Sequence, residues 1–195
     1  MSHLRITGIL FVCLTISGCA TFRDGANPPI AKWPPASEVK NKSIALQITG
    51  KALINNQNTE VNENFLTKWR EQAVSAYTSS GLFSSVKNGS EAADIVAEIN
   101  ILDKGDVNHG LAFLSGFTMT LIPSKTREGF IVNTTYKDGQ GNKLGSFEKV
   151  EYANTWIQLF MFPLMPFHWP SSEYMELVHD LNRNVIIEAH DKGIF

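Results

Sequence analysis

Cys13 and Cys19 carry the softest nucleophiles in the sequence. A thiolate reacts with an alkylating or oxidising centre ahead of neighbouring hydroxyls. Cys13 lies inside the charge-free run Ile6–Ile16, whereas Cys19 follows Ile16-Ser17-Gly18, where two small residues leave the backbone open to a processing enzyme. Two cysteines cannot alone supply a four-ligand zinc site or a disulfide-stapled scaffold. The other groups capable of chemistry are dispersed. His179 and His190 fall about 16 Å apart along one expected helix, too far to share a metal. His109 and His168 lie in two loops that could meet, where polar capping is their ordinary role. Asp103 with Asp106, and Glu148 with Glu151, are neighbours in sequence, yet nothing marks a cleft around either pair. No Gly-x-Ser-x-Gly elbow occurs. Gly139 and Gly141 precede no helix, so they make a turn and not a phosphate cradle. No catalytic residue and no metal site is expected.

The surroundings of Cys19 give its chemistry a context. Met1 to Arg5 is weakly basic, and Ile6–Ile16 at about 1.5 Å per residue would span roughly 16 Å, half of the roughly 30 Å hydrocarbon core. That length fits the apolar centre of an export signal and not a permanent span. Ile16-Ser17-Gly18-Cys19 resembles the lipobox of bacterial lipoproteins. The resemblance implies cleavage between Gly18 and Cys19, a diacylglycerol thioether and an amide-linked acyl chain such as palmitate on Cys19, and no other cofactor. It implies a domain anchored by lipid, facing the periplasm, with membrane lipid as one partner and an envelope protein as another. Ala20 is not the aspartate that argues for retention in the inner membrane, so the outer membrane is the expected address. The motif covers only the first nineteen or so residues and is silent about the work of the rest of the chain.

Composition bounds that work. The chain has 195 residues, 43% hydrophobic content, 18% charged residues and a formal net charge of -2. These values fit a single domain with an ordinary core and lack the basic excess of a nucleic-acid binder. The expected division is a signal peptide over 1–18, a lipidated N-terminus and proline-rich tether over 19–42, and one α+β periplasmic domain over 43–195. Asn27-Pro28-Pro29 and Trp33-Pro34-Pro35 favour extended backbone in the tether. Trp33 could dock on the membrane or on the domain.

The elements that would position these groups are legible from periodicity. Ile44, Leu46 and Ile48 alternate as in a half-buried strand, as do Ile95, Ala97, Ile99 and Ile101. Gly50 to Asn62 reads as a polar loop. Asn62 can cap a helix over Glu63 to Ser80, with Gly81 as its left-handed stop. Phe83 to Lys87 reads as a short strand. Phe130–Lys137 and Lys143–Tyr152 form a hairpin about Asp138–Asn142, and Pro170-Ser171-Ser172-Glu173 starts a last helix. The order predicts an α+β, two-layer domain, a mainly antiparallel sheet with two helices on one face.

Charge is absent from two stretches flanking the hairpin, residues 107–124 and 152–172. Both must lie at its open end. They either close the core or form an exposed apolar ledge, with a spanning role a third reading that Pro163, Pro166 and Pro170 oppose. On the ledge reading, Phe113, Phe117, Trp156, Phe160, Phe162, Phe167 and Trp169 contact a membrane or a partner. The expected function is that of a non-catalytic envelope accessory or binding module docking through these loops. The alternative is a small-ligand binder or hydrolase with a pocket between them.

Overall fold

The computed structural model describes residues 18–27, 30, 32–35, 41–118 and 120–195. The signal peptide expected over 1–18 lies outside them apart from Gly18, as do Pro28 and Pro29 of the expected tether. The elements run β1 (Gly18–Arg23), β2 (Ser43–Ile54), β3 (Gln57–Thr59), α1 (Glu63–Ser79), β4 (Ser85–Asn88), β5 (Ile95–Val107), α2 (His109–Phe117), β6 (Ser124–Asp138), β7 (Lys143–Gln158) and α3 (Pro170–Asp191). The strands make one sheet in the order β1-β7-β6-β5-β2-β3, with β4 also paired to β2. Neighbours are antiparallel except that β2 runs parallel to both β4 and β5. The expected α+β class and mostly antiparallel sheet are therefore present.

Alternation decides which side of each strand is buried. Leu46, Ala97, Tyr136 and Gly145 fall in one row across β2, β5, β6 and β7, and Ile48, Ile99, Thr134 and Phe147 fall in the next. These side chains meet the apolar stripes of the two long helices. Trp69 of α1 stands edge-on to Phe130 at 6.2 Å, and Tyr77 of α1 shares a buried hydrogen bond with Tyr136 at 2.6 Å. Leu177, Leu181, Val185 and Ile186 of α3 complete the same core. Asn62 caps α1 by accepting from the backbone N–H of Asn64, and Gly81 follows the helix with a φ of 70°. Pro170 occupies the first turn of α3, where no helical donor is lost.

Three elements exceed the sequence reading. β2 continues through the expected polar loop, turns at Asn55-Asn56 with φ of 50° and 64°, and returns as β3. Paired asparagines tolerate the two left-handed positions that such a tight hairpin needs. The short helix α2 forms inside the first charge-free run, capped by Asn108, whose side chain accepts from the Leu111 N–H. It adds a third helix to the two expected. The third surprise is β1, which pairs with β7 from Gly18↔Gln158 to Arg23↔Ala153. Residues 19–23 therefore belong to the sheet and are not free tether.

The chain stays on the domain after β1. Arg23 bonds Asp180 of α3 at 2.8 Å. The backbone N–H groups of Ala26 and Asn27 donate to the Glu151 carboxylate at 2.8 and 3.1 Å. Farther on, Trp33 lies under the Arg183 guanidinium at 4.5 Å and its indole N–H reaches Ser79 Oγ. Of the two docking sites open to Trp33 in the sequence, the domain is the one it occupies.

Candidate functional site

Two regions at the end of the sheet where β6 begins and β7 finishes carry features beyond core packing. The first comprises the charge-free runs. α2 stands between β5 and β6, and within it only Ser115 is buried. Beyond β7, a 3-10 turn over Leu159–Met161 leads into successive turns closed by bonds such as Leu164 N–H to Met161 O and His168 N–H to Leu164 O. The runs are joined where Leu159 donates its N–H to the Thr120 carbonyl at 3.2 Å.

These segments contribute Ala153 to the core, but most of their large apolar side chains stay outside it. Phe113, Phe117, Phe160 and Phe167 are 74, 79, 71 and 78% exposed. Leu114, Leu121, Phe162, Leu164 and Trp169 are exposed as well. Apolar side chains thus cluster on the surface here. Trp156 departs from the group. It sits within β7, half-buried, with the Lys125 ammonium 5.3 Å from its ring centre.

Cys19 lies beside this surface. It pairs with Ile157, two residues before the 3-10 turn, and Gly18 pairs with Gln158. A Cβ on Gly18 would stand 2.2 Å from the Phe162 backbone nitrogen, so only glycine fits that approach. Thr21 donates its N–H to the His168 carbonyl at 3.0 Å, and the Phe22 ring lies 4.7 Å from the His168 ring. Partial burial pushes the Cys19 thiol up, which holds it in the protonated form. The fold thus brings Gly18, Cys19, Phe160, Phe162, Phe167 and Trp169 to one end, and the Leu159 to Thr120 bond ties that group to the run bearing Phe113 and Phe117. His109 and His168 are held apart in their bonding: His109 faces the Asn55 side-chain amide, and His168 faces Glu173 at 3.1 Å.

The second region is concave, and the sequence reading missed it. A cavity of about 310 Å³ opens between the β2–β3 hairpin, α1, the start of α3 and strands β5 and β6. It does not lie between the two charge-free runs, of which only Val107 reaches its wall. Phe65, Trp69, Phe130 and Met175 form apolar walls, and Asp103 and Glu128 face in from adjacent strands. Phe130 pairs with Asp103 and Glu128 with Gly105, so the two carboxyls are diagonal neighbours on one side of the sheet. Burial pushes Asp103 up to about 7, with the Glu128 charge adding to the shift. Burial also raises Glu128, against the effect of a hydrogen bond from Tyr174. Tyr174 hydroxyl in turn bonds Thr155 Oγ1. Asp106, adjacent to Asp103 in the sequence reading, falls on the opposite side of β5.

The signal for this pair was an acid at an inward position. Asp103 continues the alternation Ile95, Ala97, Ile99, Ile101, and Glu128 continues Tyr136, Thr134, Val132, Phe130 in reverse. Among the described residues, no group of three or more His, Cys, Asp or Glu side chains could hold a metal, and no helix is long and apolar enough to cross a membrane.

No protein-family model matches the chain, and no curated protein sequence matches it. Similar solved structures include a minor lipoprotein from Acinetobacter baumannii, 12% identical with a TM-score of 0.42 over 74% of this chain and 87% of that one. They also include a PelC dodecamer from Paraburkholderia phytofirmans, 12% identical with a TM-score of 0.38 over 87% of this chain and 94% of that one. Likeness at these scores assigns no role to this chain.

Proposed function

We propose that this chain is a lipid-anchored envelope protein, a non-catalytic accessory module that seats its apolar ledge on the membrane holding its own anchor. The observation that carries the reading is the position of Cys19. The residue that the lipobox would acylate is paired with Ile157, at the sheet end from which Phe160, Phe162 and Phe167 project. An acyl chain entering a bilayer from that point brings the ledge to the same bilayer. The acyl chains on Cys19 would hold the domain at the bilayer, and aromatic side chains at the interface would fix how it sits there. A charge-free ledge loses no solvated ion pair on contact. Ala20 after the cysteine favours the outer membrane, with the domain on its periplasmic side.

The test uses a Cys19→Ser form produced without residues 1–18, which removes the acyl anchor and the apolar run Ile6–Ile16 and leaves the ledge. It should pellet with vesicles of phosphatidylethanolamine and phosphatidylglycerol. Phe160→Ser with Phe162→Ser should reduce the partition by about tenfold or more, because each phenylalanine withdrawn from water contributes about 1.5 to 3 kcal/mol. Equal pelleting of the two forms, or none by either, overturns the reading.

A further inference from the structure

The cavity beneath α1 has mostly apolar walls, with Thr59 and Asn62 among them, and titratable groups of one sign. Besides Tyr174, its titratable lining groups are Glu60 from the β3–α1 connection, Asp103 of β5 and Glu128 of β6, and no Lys, Arg or His side chain lines it. Among the described residues neither Asp103 nor Glu128 forms an ion pair. A partly buried carboxylate without a cation is costly, and two side by side are more so. Phe65, Trp69 and Phe130 line the same space, and aromatic rings attract a positive charge over their faces. Trp69, which lines the cavity and is 2% exposed, has an indole N–H without a partner among the described residues, a donor that reports on the cavity and does not itself bind a cation.

We infer that this cavity binds a small organic cation, a primary amine on a compact apolar body, with the ammonium held between Asp103 and Glu128 and the body against Phe65, Trp69 and Phe130. The cavity volume of about 310 Å³ is at the small end for ligand sites, room for one ring and a short arm. The ammonium supplies the charge that the carboxyls lack, and the walls exclude the strongly hydrated metal cations that would leave them unfilled. Protons compete with the ligand. Asp103 takes up its proton near neutrality, so affinity rises as pH increases through 7 and falls as the solution is acidified. Glu60, Glu128 and Tyr174 face the same space and contribute no positive charge, so no neighbouring cation reverses this dependence. The site is independent of the membrane ledge.

The experiment titrates the full chain, as the cell produces it and held in neutral detergent, with phenethylamine, 3-phenylpropionate and calcium chloride. Calorimetry gives affinity, and the Trp69 indole N–H resonance gives location. Phenethylamine should saturate, shift that resonance, and bind about tenfold or more tighter than 3-phenylpropionate at pH 8. Its affinity should fall several-fold by pH 5.5. Asp103→Asn and Glu128→Gln should each weaken it about tenfold, with melting temperature kept or raised, because a buried charge is removed. Phe160→Ser with Phe162→Ser should leave amine binding as in the parent. Failure of amine to saturate, equal binding of the carboxylate, tighter binding of calcium, or unchanged affinity in Asp103→Asn each overturns the proposal, whatever the vesicle experiment shows.

Discussion

Asn27 grips Glu151 with both of its donors: the backbone N–H and the side-chain amide each stand 3.1 Å from the carboxylate. Glu151 is 1% exposed. Burial alone would raise its pKa, yet the N–H groups of Ala26, Asn27 and Tyr152 and the Asn27 amide together hold it below the ordinary value of 4.5. A carboxylate depressed on folding contributes stability above its unfolded pKa, and that contribution disappears as pH falls through the folded value. Acidification below about 4.5 should therefore release residues 24–27 first. Hydrogen exchange at Ala26 and Asn27 should quicken there, and Glu151→Ala should produce the same release at neutral pH at a cost of about 1 to 3 kcal/mol.

Exposure separates the ledge from the core by energy. Phe113→Ser with Phe117→Ser should alter stability by about 0.5 kcal/mol or less per site, because neither side chain is packed. Leu181→Ala, at a position 1% exposed in α3, should cost about 2 to 5 kcal/mol. Chemical denaturation of the two variants checks the contrast. A large loss in the first would place those phenylalanines in the core.

Tyr77 and Tyr136 are wholly buried and share one hydrogen bond at 2.6 Å. Tyr136→Phe leaves the Tyr77 hydroxyl without that partner and should cost about 1 to 3 kcal/mol. Removing both hydroxyls should cost less than the sum of the single changes. A double-mutant cycle of unfolding free energies reads the coupling directly.

Trp33 holds the far part of the N-terminal segment against the helices through Arg183 and Ser79. Trp33→Ala should expose residues 32–35 to protease while the sheet core keeps its hydrogen-exchange protection. A mild digest followed by mass spectrometry distinguishes this local release from global unfolding.

The parts of the fold that the sequence made visible are those where burial imposes a period. α1, α3, the hairpin and the inward rows of β2 and β5 all follow alternation or helical spacing. β1 was hidden because Gly18–Arg23 is too short and too mixed in polarity to show a period, and its partner lies more than a hundred residues away in β7. α2 was hidden because apolar residues surround the helix and give no stripe. Phe113, Phe117, Phe160, Phe162, Phe167 and Trp169 could be named from composition, but their exposure depended on whether another layer covered them. Asp103 and Glu128 were overlooked for the opposite reason. Asp103 was read beside Asp106 and Glu128 was not singled out, when the relevant neighbour of each was one strand across.

The direction of β1 has a mechanical consequence. If the anchor is at Cys19, a pull from the membrane enters the domain at the start of a strand whose five remaining residues, 19–23, are paired in register with β7. Force along that strand strains its hydrogen bonds together in shear, and Arg23 passes part of the load to Asp180 in α3. The membrane attachment would then resist detachment as a lap joint does, with the whole overlap sharing the tension, where a loose leader would have left the domain swinging on its end.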